Sequence, residues 1–401
     1  MDHSEHEIAL DTTTLITVTG QDRPGVSSAL LHAVAKTGMV VLDIEQVVIR
    51  GKLTLGILLD KPSCEPAERP QLEQAVKQAA EDLDLECTIT HGVEDTCHAG
   101  NSPLLVTVIG NPLTSESLAK VADAVASVGA NIDRITRVSH YPVTALELEI
   151  SGSERGVLRE KLTSVALESD VDLAVQDANL MRRSRKLVVM DVDSTFIREE
   201  VIELIASHAG CEAEVEQITT RAMRGEIDFA QSLAERVALL EGLPVSALDE
   251  VRESINLTPG ARTLVTTLQR LGYEIALVSG GFHEIVDSVA SELQISHVRA
   301  NRLQVADGKL TGKTEGPIVD RPGKATAMRE IAAQIGIPIE NTIAIGDGAN
   351  DLDMLGLAGL GIAFNAKPIV RQQADTAVNV PYLDSVLFLL GIPHSEISNV
   401  G

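Results

Sequence analysis

Residues 187–195 read Leu187-Val188-Val189-Met190-Asp191-Val192-Asp193-Ser194-Thr195, an apolar run that ends in two aspartates. The first four residues are typical of a central parallel strand that is buried on both faces. Because side chains alternate along a strand, Asp191 and Asp193 point to the same side at its end. Two carboxylates this close require a cation or a shared proton, and a hard ion such as Mg²⁺ suits oxygen ligands. The alternative is a solvated loop after an ordinary strand.

Two later apolar runs also end in polar groups that suit such a site. One run ends at Ser279 and Gly280, where a hydroxyl and an accessible backbone amide can donate hydrogen bonds to a phosphate oxygen. Another run ends shortly before Asp347 and Asp351. Because ligands of open α/β sheets bind at the carboxyl ends of the strands, we expect these groups to lie near the first two aspartates.

Lys324 lies in the first turn of a helical stretch that opens with Pro322. A lysine at this place opposes the helix dipole unless an anion lies nearby. Each of the four segments, taken alone, is explained by an ordinary β–α turn. Their order along the chain is what predicts a joint site for phosphate and a metal ion.

In this order the four segments resemble the motifs of the haloacid dehalogenase superfamily of phosphotransferases, and in particular of bacterial phosphoserine phosphatases with N-terminal ACT domains. The resemblance is strong over residues 185–365 and holds at the level of the fold over residues 12–180. It implies an α/β fold, in which a Rossmann-like parallel-sheet core carries a helical cap insertion. Two ferredoxin-like (βαββαβ) ACT domains would precede that core.

The chemistry and the resemblance together give the catalytic residues their expected roles. Asp191 is expected to be the nucleophile that forms an aspartyl-phosphate, and Asp193 the general acid and base. The resemblance implies that Asp191, Asp347 and the backbone carbonyl of Asp193 hold the metal, with Asp351 acting behind these ligands or through water. The residues expected to hold the phosphoryl oxygens are Ser279, Gly280 and Lys324.

The resemblance also places the residues that choose the substrate. It implies that Glu200 binds the ammonium group of phosphoserine and that Arg236 binds its carboxylate, for which a planar guanidinium is well shaped. Phe229 matches an apolar contact of the family, and Asn350 matches an amide on the substrate side. Taken alone, Glu200 and Arg236 would be read as exposed helical charges.

The N-terminal half contains an internal repeat. Leu15–Gly20 resembles Leu105–Gly110 at an offset of about ninety residues, and each segment precedes an amphipathic helix that ends at Gly38 or Gly129. Two strands, a second helix and the start of another strand follow in each copy. This βαββαβ order is ferredoxin-like and resembles tandem ACT domains, which are small regulatory modules that bind amino acids.

One loop in the first repeat is the best candidate for an effector such as L-serine. The segment Gly20–Gly25, which includes Asp22, resembles the ligand loop of ACT domains, and amides at the following helix start suit a carboxylate. The second repeat lacks the aspartate and the later glycine, so its ligand role rests on Gly110 and Asn131. The alternative for the second repeat is a role in subunit pairing.

The patterns predict four segments along the chain. These are an N-terminal tail at residues 1–11, ACT domains at 12–95 and 103–181, and a phosphatase domain at 185–401 with a cap at about 200–258. Within the cap we expect four short helices, and they form a lid or, alternatively, a helical subdomain packed elsewhere. Further predictions are a hairpin within residues 299–313, a linker at 95–103 and a basic domain junction at 181–186.

Composition excludes several classes of function. A formal net charge of −25 opposes binding to nucleic acids or anionic lipids, and 2% aromatic residues leave little for stacking on bases. We find no apolar run long enough to cross a membrane and no basic-then-apolar leader, which favours a cytoplasmic protein. The four scattered cysteines, Cys64, Cys87, Cys97 and Cys211, are then expected to be reduced.

The resulting hypothesis is a Mg²⁺-dependent phosphoserine phosphatase that acts as a homodimer or higher homo-oligomer, with L-serine as a candidate effector at the ACT domains. Mn²⁺ is not distinguished from Mg²⁺ by the sequence. One alternative is a phosphatase of another small phosphomonoester or of phosphoproteins. An alternative of another class is an amino-acid-sensing regulatory protein with a silent phosphatase module.

Overall fold

The computed structural model describes residues 13–60, 69–92, 103–178 and 186–397. The chain divides into two compact units, Met1–Cys97 and His98–Gly401, and each is described by itself. The predicted N-terminal tail, almost all of the predicted linker and all but the last residue of the basic junction lie outside the described residues.

The first unit has the predicted ferredoxin-like order. Its strands pair antiparallel in the order β2-β3-β1-β4, so the first and third strands of the sequence are central. Both helices place apolar residues such as Leu30 and Val76 against Ile16 and Leu55 of the central strands. The elements are β1 (Thr14–Gln21), α1 (Val26–Ala35), β2 (Val40–Ile49), β3 (Lys52–Asp60), α2 (Arg69–Asp82) and β4 (Leu85–His91).

The second unit begins with a domain of the same topology. Its sheet has the order β6-β7-β5-β8, and its first helix begins after Thr114, whose hydroxyl oxygen accepts a hydrogen bond from the Ser117 amide at 3.1 Å. Helices are numbered along the whole chain, so the helices of this domain are α3 and α4. The elements are β5 (Leu104–Gly110), α3 (Ser115–Ser127), β6 (Asn131–Ser139), β7 (Thr144–Ser151), α4 (Arg155–Glu168) and β8 (Asp172–Asp177).

The catalytic domain is built on a seven-stranded sheet in the order β12-β11-β10-β9-β13-β14-β15. All neighbours pair in parallel except β11 and β12, which form the predicted hairpin at Asp307 and Gly308. The strands are β9 (Leu187–Met190), β10 (Glu274–Phe282), β11 (His297–Ala306), β12 (Lys309–Glu315), β13 (Thr342–Gly346), β14 (Leu360–Phe364) and β15 (Thr376–Val378). The helices outside the cap are α9 (Ala261–Arg270), α10 (His283–Glu292), α11 (Arg321–Ile335), α12 (Leu352–Leu357), α13 (Pro368–Gln373) and α14 (Val386–Leu389).

The cap consists of the four predicted helices, α5 (Val201–Ala209), α6 (Glu212–Met223), α7 (Phe229–Ala238) and α8 (Ala247–Ser254). The two chain segments that connect the cap to the core run side by side. Ile197 pairs with Leu257, and the Asn256 side chain donates a 2.8 Å hydrogen bond to Glu199. The cap therefore leaves and rejoins the core through one paired neck.

The second ACT domain packs directly on the catalytic domain. The Thr376 hydroxyl donates to the Leu173 carbonyl at 2.8 Å, and the Gln176 side chain donates to the Leu389 carbonyl at 2.7 Å. Arg159 donates to Asp375 at 2.9 Å. These bonds join β8 and α4 of the ACT domain to the β15 edge of the catalytic sheet and to α14. None of the described helices combines the length and the apolar composition that a membrane span requires.

Asp172 is the most deeply buried acid at this contact. Its two carboxylate oxygens accept hydrogen bonds from the backbone and side-chain nitrogens of Asn379, at 2.7 and 2.6 Å. Burial nevertheless raises the pKa of Asp172 to about 6, because these bonds compensate only part of the lost hydration. The folded domain consequently holds the proton more tightly than the unfolded chain does.

Replacing Asp172 by Asn removes this titration. The raised pKa means that wild-type stability falls as pH rises from about 4 to 7, since the unfolded state loses the proton first. Over that interval the variant should gain roughly 2–3 kcal/mol in free energy of unfolding relative to wild type. Urea unfolding followed by circular dichroism at both pH values measures the difference. An identical pH dependence in the two proteins would contradict the prediction.

Candidate active site

The candidate site lies where three adjacent parallel strands end. Since β10, β9 and β13 are neighbours and run in the same direction, their carboxyl ends bring Ser279, Asp191 and Asp347 to one edge of the sheet. The amide of Asp191 donates to the Ile345 carbonyl at 2.9 Å, which continues the ladder up to the nucleophile position. The Asp191 carboxylate is buried at the end of this strand.

A tight turn after β9 separates the two aspartates of the first motif. It contains Ser194 at φ 56°, a left-handed conformation that is uncommon outside glycine. One oxygen of Asp193 accepts a 2.7 Å hydrogen bond from the Val201 amide, and the other accepts a 2.9 Å bond from the Ser279 hydroxyl. Asp193 is thus held by the first residue of the cap and by β10, and its side chain is not one of the three clustered carboxylates described below.

Lys324 lies between two of the acids. Its Nζ is 2.7 Å from an oxygen of Asp191 and 2.7 Å from an oxygen of Asp351, and all three side chains are buried. Burial alone would lower the pKa of Lys324, but the charges and hydrogen bonds of the two carboxylates outweigh it and raise the pKa above its ordinary value. Asp191 and Asp351 are therefore the anions that a lysine in the first turn of α11 was expected to need.

Three carboxylates converge next to this lysine. Oxygens of Asp191, Asp347 and Asp351 lie within 4.8 Å of one another. Burial and the charge of Asp351 raise the pKa of Asp191 well above the usual range, and the same two causes raise the pKa of Asp347 to about 6. With one lysine against three acids, the arrangement retains excess negative charge. Carboxylate oxygens and uncompensated charge fit a hard divalent cation.

Hydrogen bonds orient the carboxylates of this group. The fully buried Thr195 donates its hydroxyl proton to Asp347 at 3.0 Å. Asp351 accepts a 2.9 Å bond from the Gly348 amide in addition to the bond from the lysine. A β-carbon at Gly346 would lie 2.4 Å from the carboxyl carbon of Asp351, so glycine is required for the acid to approach the strand end.

A cavity of about 600 Å³ opens between this edge of the sheet and the cap. Asp191, Asp193 and Asp347 line its floor. The four residues predicted to contact the substrate also line it, together with Gly280: they are Glu200, Phe229, Arg236 and Asn350. Ser279 and Lys324 do not line the cavity; both are fully buried and are bonded to the acids beneath it.

The cap contributes one acid and one base to the cavity wall. Burial and the charge of Asp193 raise the pKa of Glu200 to about 7, although the Ser194 hydroxyl donates to it at 2.8 Å. Burial lowers the pKa of Arg236, while Glu200 and Asp193 oppose that shift. A ligand with an ammonium and a carboxylate group would pair with both of these charges.

Sequence reasoning missed one wall of the cavity. Lys367, Ile369 and Val370, at the start of α13, line it as well. They follow β14, a strand of the same sheet, and Pro368 at the first helical position was the available sign of a helix starting at this edge. The supporting roles of Thr195 and Ser194 were also not predicted.

The predicted effector residues are distributed over the two ACT domains. Gly20 is the second-to-last residue of β1, and Gly25, at φ 97°, precedes α1, with Asp22 in the loop between the two elements. In the second domain Gly110 ends β5, and the side chain of Asn131 donates to Asp133 at 2.6 Å. Their role as effector ligands stays a prediction.

Replacing Lys324 by Met should destabilise the catalytic domain strongly. The change leaves two buried carboxylates facing each other without their cation, which costs about 3–5 kcal/mol in free energy of unfolding. The matched control is Lys161→Met on the exposed side of α4, where a change within about 0.5 kcal/mol is expected. Urea unfolding of both variants measures the effect, and a loss below about 1 kcal/mol in the first would refute it.

Comparison with known proteins agrees with this organisation. The family model for haloacid dehalogenase-like hydrolases matches residues 188–356, and models for ACT domains match residues 12–90 and 102–176. A solved structure of a probable phosphoserine phosphatase from Vibrio cholerae is 34% identical at a TM-score of 0.58, covering 74% of this chain and 88% of that one. A haloacid dehalogenase family hydrolase from Salmonella enterica gives a TM-score of 0.62 at 26% identity, covering 72% of this chain and 98% of that one.

Relatives of known activity match almost the entire chain. A phosphoserine phosphatase of Streptomyces coelicolor is 51% identical over 385 residues, which are 96% of this chain and 93% of that protein. A phosphoserine phosphatase of Mycobacterium tuberculosis is 50% identical and covers 96% of this chain and 94% of its own length. The predicted resemblance is confirmed, and the chain belongs to the same family as these phosphoserine phosphatases, within the haloacid dehalogenase-like hydrolases.

Proposed function

We propose that this protein hydrolyses O-phospho-L-serine to L-serine and phosphate, the last step of serine biosynthesis. It is a phosphoric monoester hydrolase with the domain arrangement of its relatives. One observation carries the choice of substrate. A single cavity has the predicted nucleophile and acid on its floor, and Glu200 and Arg236, of opposite charge, on its cap side.

In the first chemical step, Asp191 attacks the phosphorus atom. A bond forms between a carboxylate oxygen of Asp191 and phosphorus, and the bond between phosphorus and the serine oxygen breaks. Asp193 acts as the general acid and delivers a proton to the departing serine oxygen, which would otherwise leave as an alkoxide. Its bonds to Val201 and Ser279 keep its carboxyl group in one orientation for this transfer.

In the second step, water replaces the enzyme on phosphorus. Asp193, now ionised, accepts a proton from the water as its oxygen bonds to phosphorus, and the bond from phosphorus to Asp191 breaks. Phosphate leaves, and both aspartates return to their starting states. Lys324 remains beside Asp191 throughout and offsets its negative charge, which eases the approach of a dianionic phosphate group.

We assign Mg²⁺ to the site beside the clustered carboxylates of Asp191, Asp347 and Asp351. Asp191, Asp347 and the backbone carbonyl of Asp193 would hold it, and Asp351 would orient the site through its bonds to Lys324 and Gly348. When bound, the ion neutralises charge on the phosphoryl oxygens and keeps carboxylates ionised. This accords with the raised pKa values of Asp191 and Asp347, which mark carboxylates that lack sufficient cationic charge.

Replacing Asp191 by Asn should abolish turnover, because an amide is not a competent nucleophile toward phosphorus. We expect kcat to fall by at least about 10⁴-fold. Acid quenching with labelled substrate should trap phosphate on the wild-type protein and none on the variant. Asp193→Asn is the informative comparison, with an expected loss of about 10²–10⁴-fold. Substantial turnover by Asp191→Asn would exclude the proposed chemistry.

Arg236→Ala tests the substrate. Loss of a buried, charge-assisted bond to the substrate carboxylate should lower kcat/KM for phosphoserine by about 10- to 150-fold. Hydrolysis of p-nitrophenyl phosphate, which has no carboxylate, should change less than about threefold. The matched control is Arg221→Ala, a cap arginine that is paired with Glu235 at 2.8 Å and does not line the cavity. An equal loss on both substrates would favour a different phosphomonoester.

The ACT domains are proposed to pair subunits and to bind L-serine as an effector. The edge strand β2 supports pairing: every residue from Val40 to Ile49 is exposed, including Ile44 at 44% and Val47 at 52%. A long, apolar, unpaired edge is normally covered, and a homodimer would cover it. The proposed location of the enzyme is the cytoplasm.

A further inference from the structure

One cation in the wall of the catalytic cavity takes no part in the proposed chemical steps. Lys367 lines that cavity, between the end of β14 and the start of α13, and it is exposed. Strand β14 pairs in parallel with β13, with Gly346 opposite Ala363, so both strands end at the same edge of the sheet. Lys367 therefore lies on the core side of the cavity, as Asp347 does, and not on the cap.

The backbone of Lys367 is held in place by its neighbours. Its carbonyl accepts hydrogen bonds from the Val370 amide at 2.9 Å and from the Arg371 amide at 3.1 Å. Ala366 and Val370 are buried in the core, and Asn365 adopts a left-handed φ of 46° that turns the chain after β14. The structure thus holds a positive charge at the cavity wall without the free-energy cost of burying it.

The charge of the cavity lining explains what this cation can do. Among the described residues, the ionisable lining consists of four acids and two bases: Asp191, Asp193, Glu200, Asp347, Arg236 and Lys367. A phosphomonoester that enters the cavity carries up to two negative charges, which the excess of acids repels. Lys324 lies beneath the acids and is already paired with two of them, so a cation on the path of the substrate must offset this repulsion.

Lys367 is better placed than Arg236 to attract a phosphoryl group. Arg236 lies on the cap near Glu200, and its Nε donates to the Ser232 carbonyl at 3.3 Å. Lys367 forms no ion pair with any residue in the part of the chain that the structure describes. A charge without a counterion attracts an incoming anion more strongly than a charge that is already compensated.

We propose that Lys367 binds a phosphoryl oxygen of the substrate as it enters the cavity, and of the phosphate product as it leaves. Its place on the core side suits the phosphoryl group that Asp191 attacks, whereas Glu200 and Arg236 on the cap suit the rest of the substrate. Lys367 then adds affinity for every phosphomonoester and does not select the alcohol. The inference rests on the phosphatase activity of the proposed function, but not on phosphoserine as the substrate.

Kinetics of Lys367→Met in the full chain at saturating Mg²⁺ test this role. KM for phosphoserine and for p-nitrophenyl phosphate should rise by the same factor, about 5- to 30-fold, while kcat changes less than about twofold. The inhibition constant of inorganic phosphate should rise by a similar factor. Lys367→Arg keeps the charge and should stay within about threefold of wild type. The matched control is Lys313→Met, an exposed lysine of the far edge strand β12, which should leave all three constants unchanged.

Salt provides a readout that a purely structural role of Lys367 would not change. Because salt screens the attraction between an exposed cation and a dianion, the ratio of wild-type to Lys367→Met kcat/KM should shrink as NaCl is raised. The corresponding ratio for Lys313→Met should stay near one.

Three results would overturn the proposal. They are equal KM values in Lys367→Met and wild type, a loss confined to phosphoserine, and a fall in kcat at unchanged KM. The second would assign Lys367 to the substrate carboxylate, and the third would assign it to the arrangement of the catalytic groups. If the wild type did not hydrolyse phosphoserine, the proposed substrate would be wrong, while p-nitrophenyl phosphate and phosphate inhibition would still decide the role of Lys367.

Discussion

The catalytic domain depends on the ion pair that Lys324 makes with Asp191 and Asp351. Three clustered acids at one sheet edge, two of them buried, would repel one another, and a buried ammonium group would be unstable alone. The lysine reduces the repulsion among the carboxylates, and the carboxylates stabilise the buried ammonium group. The carboxylates nevertheless outnumber the lysine. The domain is therefore built around an excess of negative charge that suits a divalent cation.

The cap adds the second half of the chemistry. In the proposed function, the sheet edge would recognise what all phosphomonoesters share, the phosphoryl group. Glu200 and Arg236 come from the cap and would face the part of the ligand that differs between substrates. Arg236 is half-buried and Glu200 carries a raised pKa, so a ligand lacking either partner leaves one of these charges unpaired in the cavity. Such a site discriminates between substrates in two ways. It attracts a ligand that pairs with both charges, and it binds less well a ligand that leaves one charge unpaired.

Much of the fold and of the candidate site could be predicted because strand ends and helix starts have recognisable local sequence patterns. Asp191 and Asp347 follow runs whose apolar composition indicates buried parallel strands, and the position of Lys324 required nearby anions. The start of α13 was missed because Lys367 and Ile369 carry no pattern that distinguishes a cavity wall from a surface turn. The exposure of β2 was equally hidden, since Val40 and Ile44 would suit a buried strand. The cavity wall at α13 and the exposure of β2 both depend on which elements pack nearby, and the local sequence does not encode that packing.

The hydrogen bond from Val201 to Asp193 has a consequence for the timing of turnover. Val201 is the first residue of α5, so this donor belongs to the cap side of the paired neck. A swing of the cap that admits the substrate would withdraw the donor, and the carboxyl group would lose half of its anchorage. Proton delivery is then confined to the closed state. Water that reaches the aspartyl-phosphate while the cavity is open would meet an unaligned base, so hydrolysis of the intermediate would wait until the cap closes again.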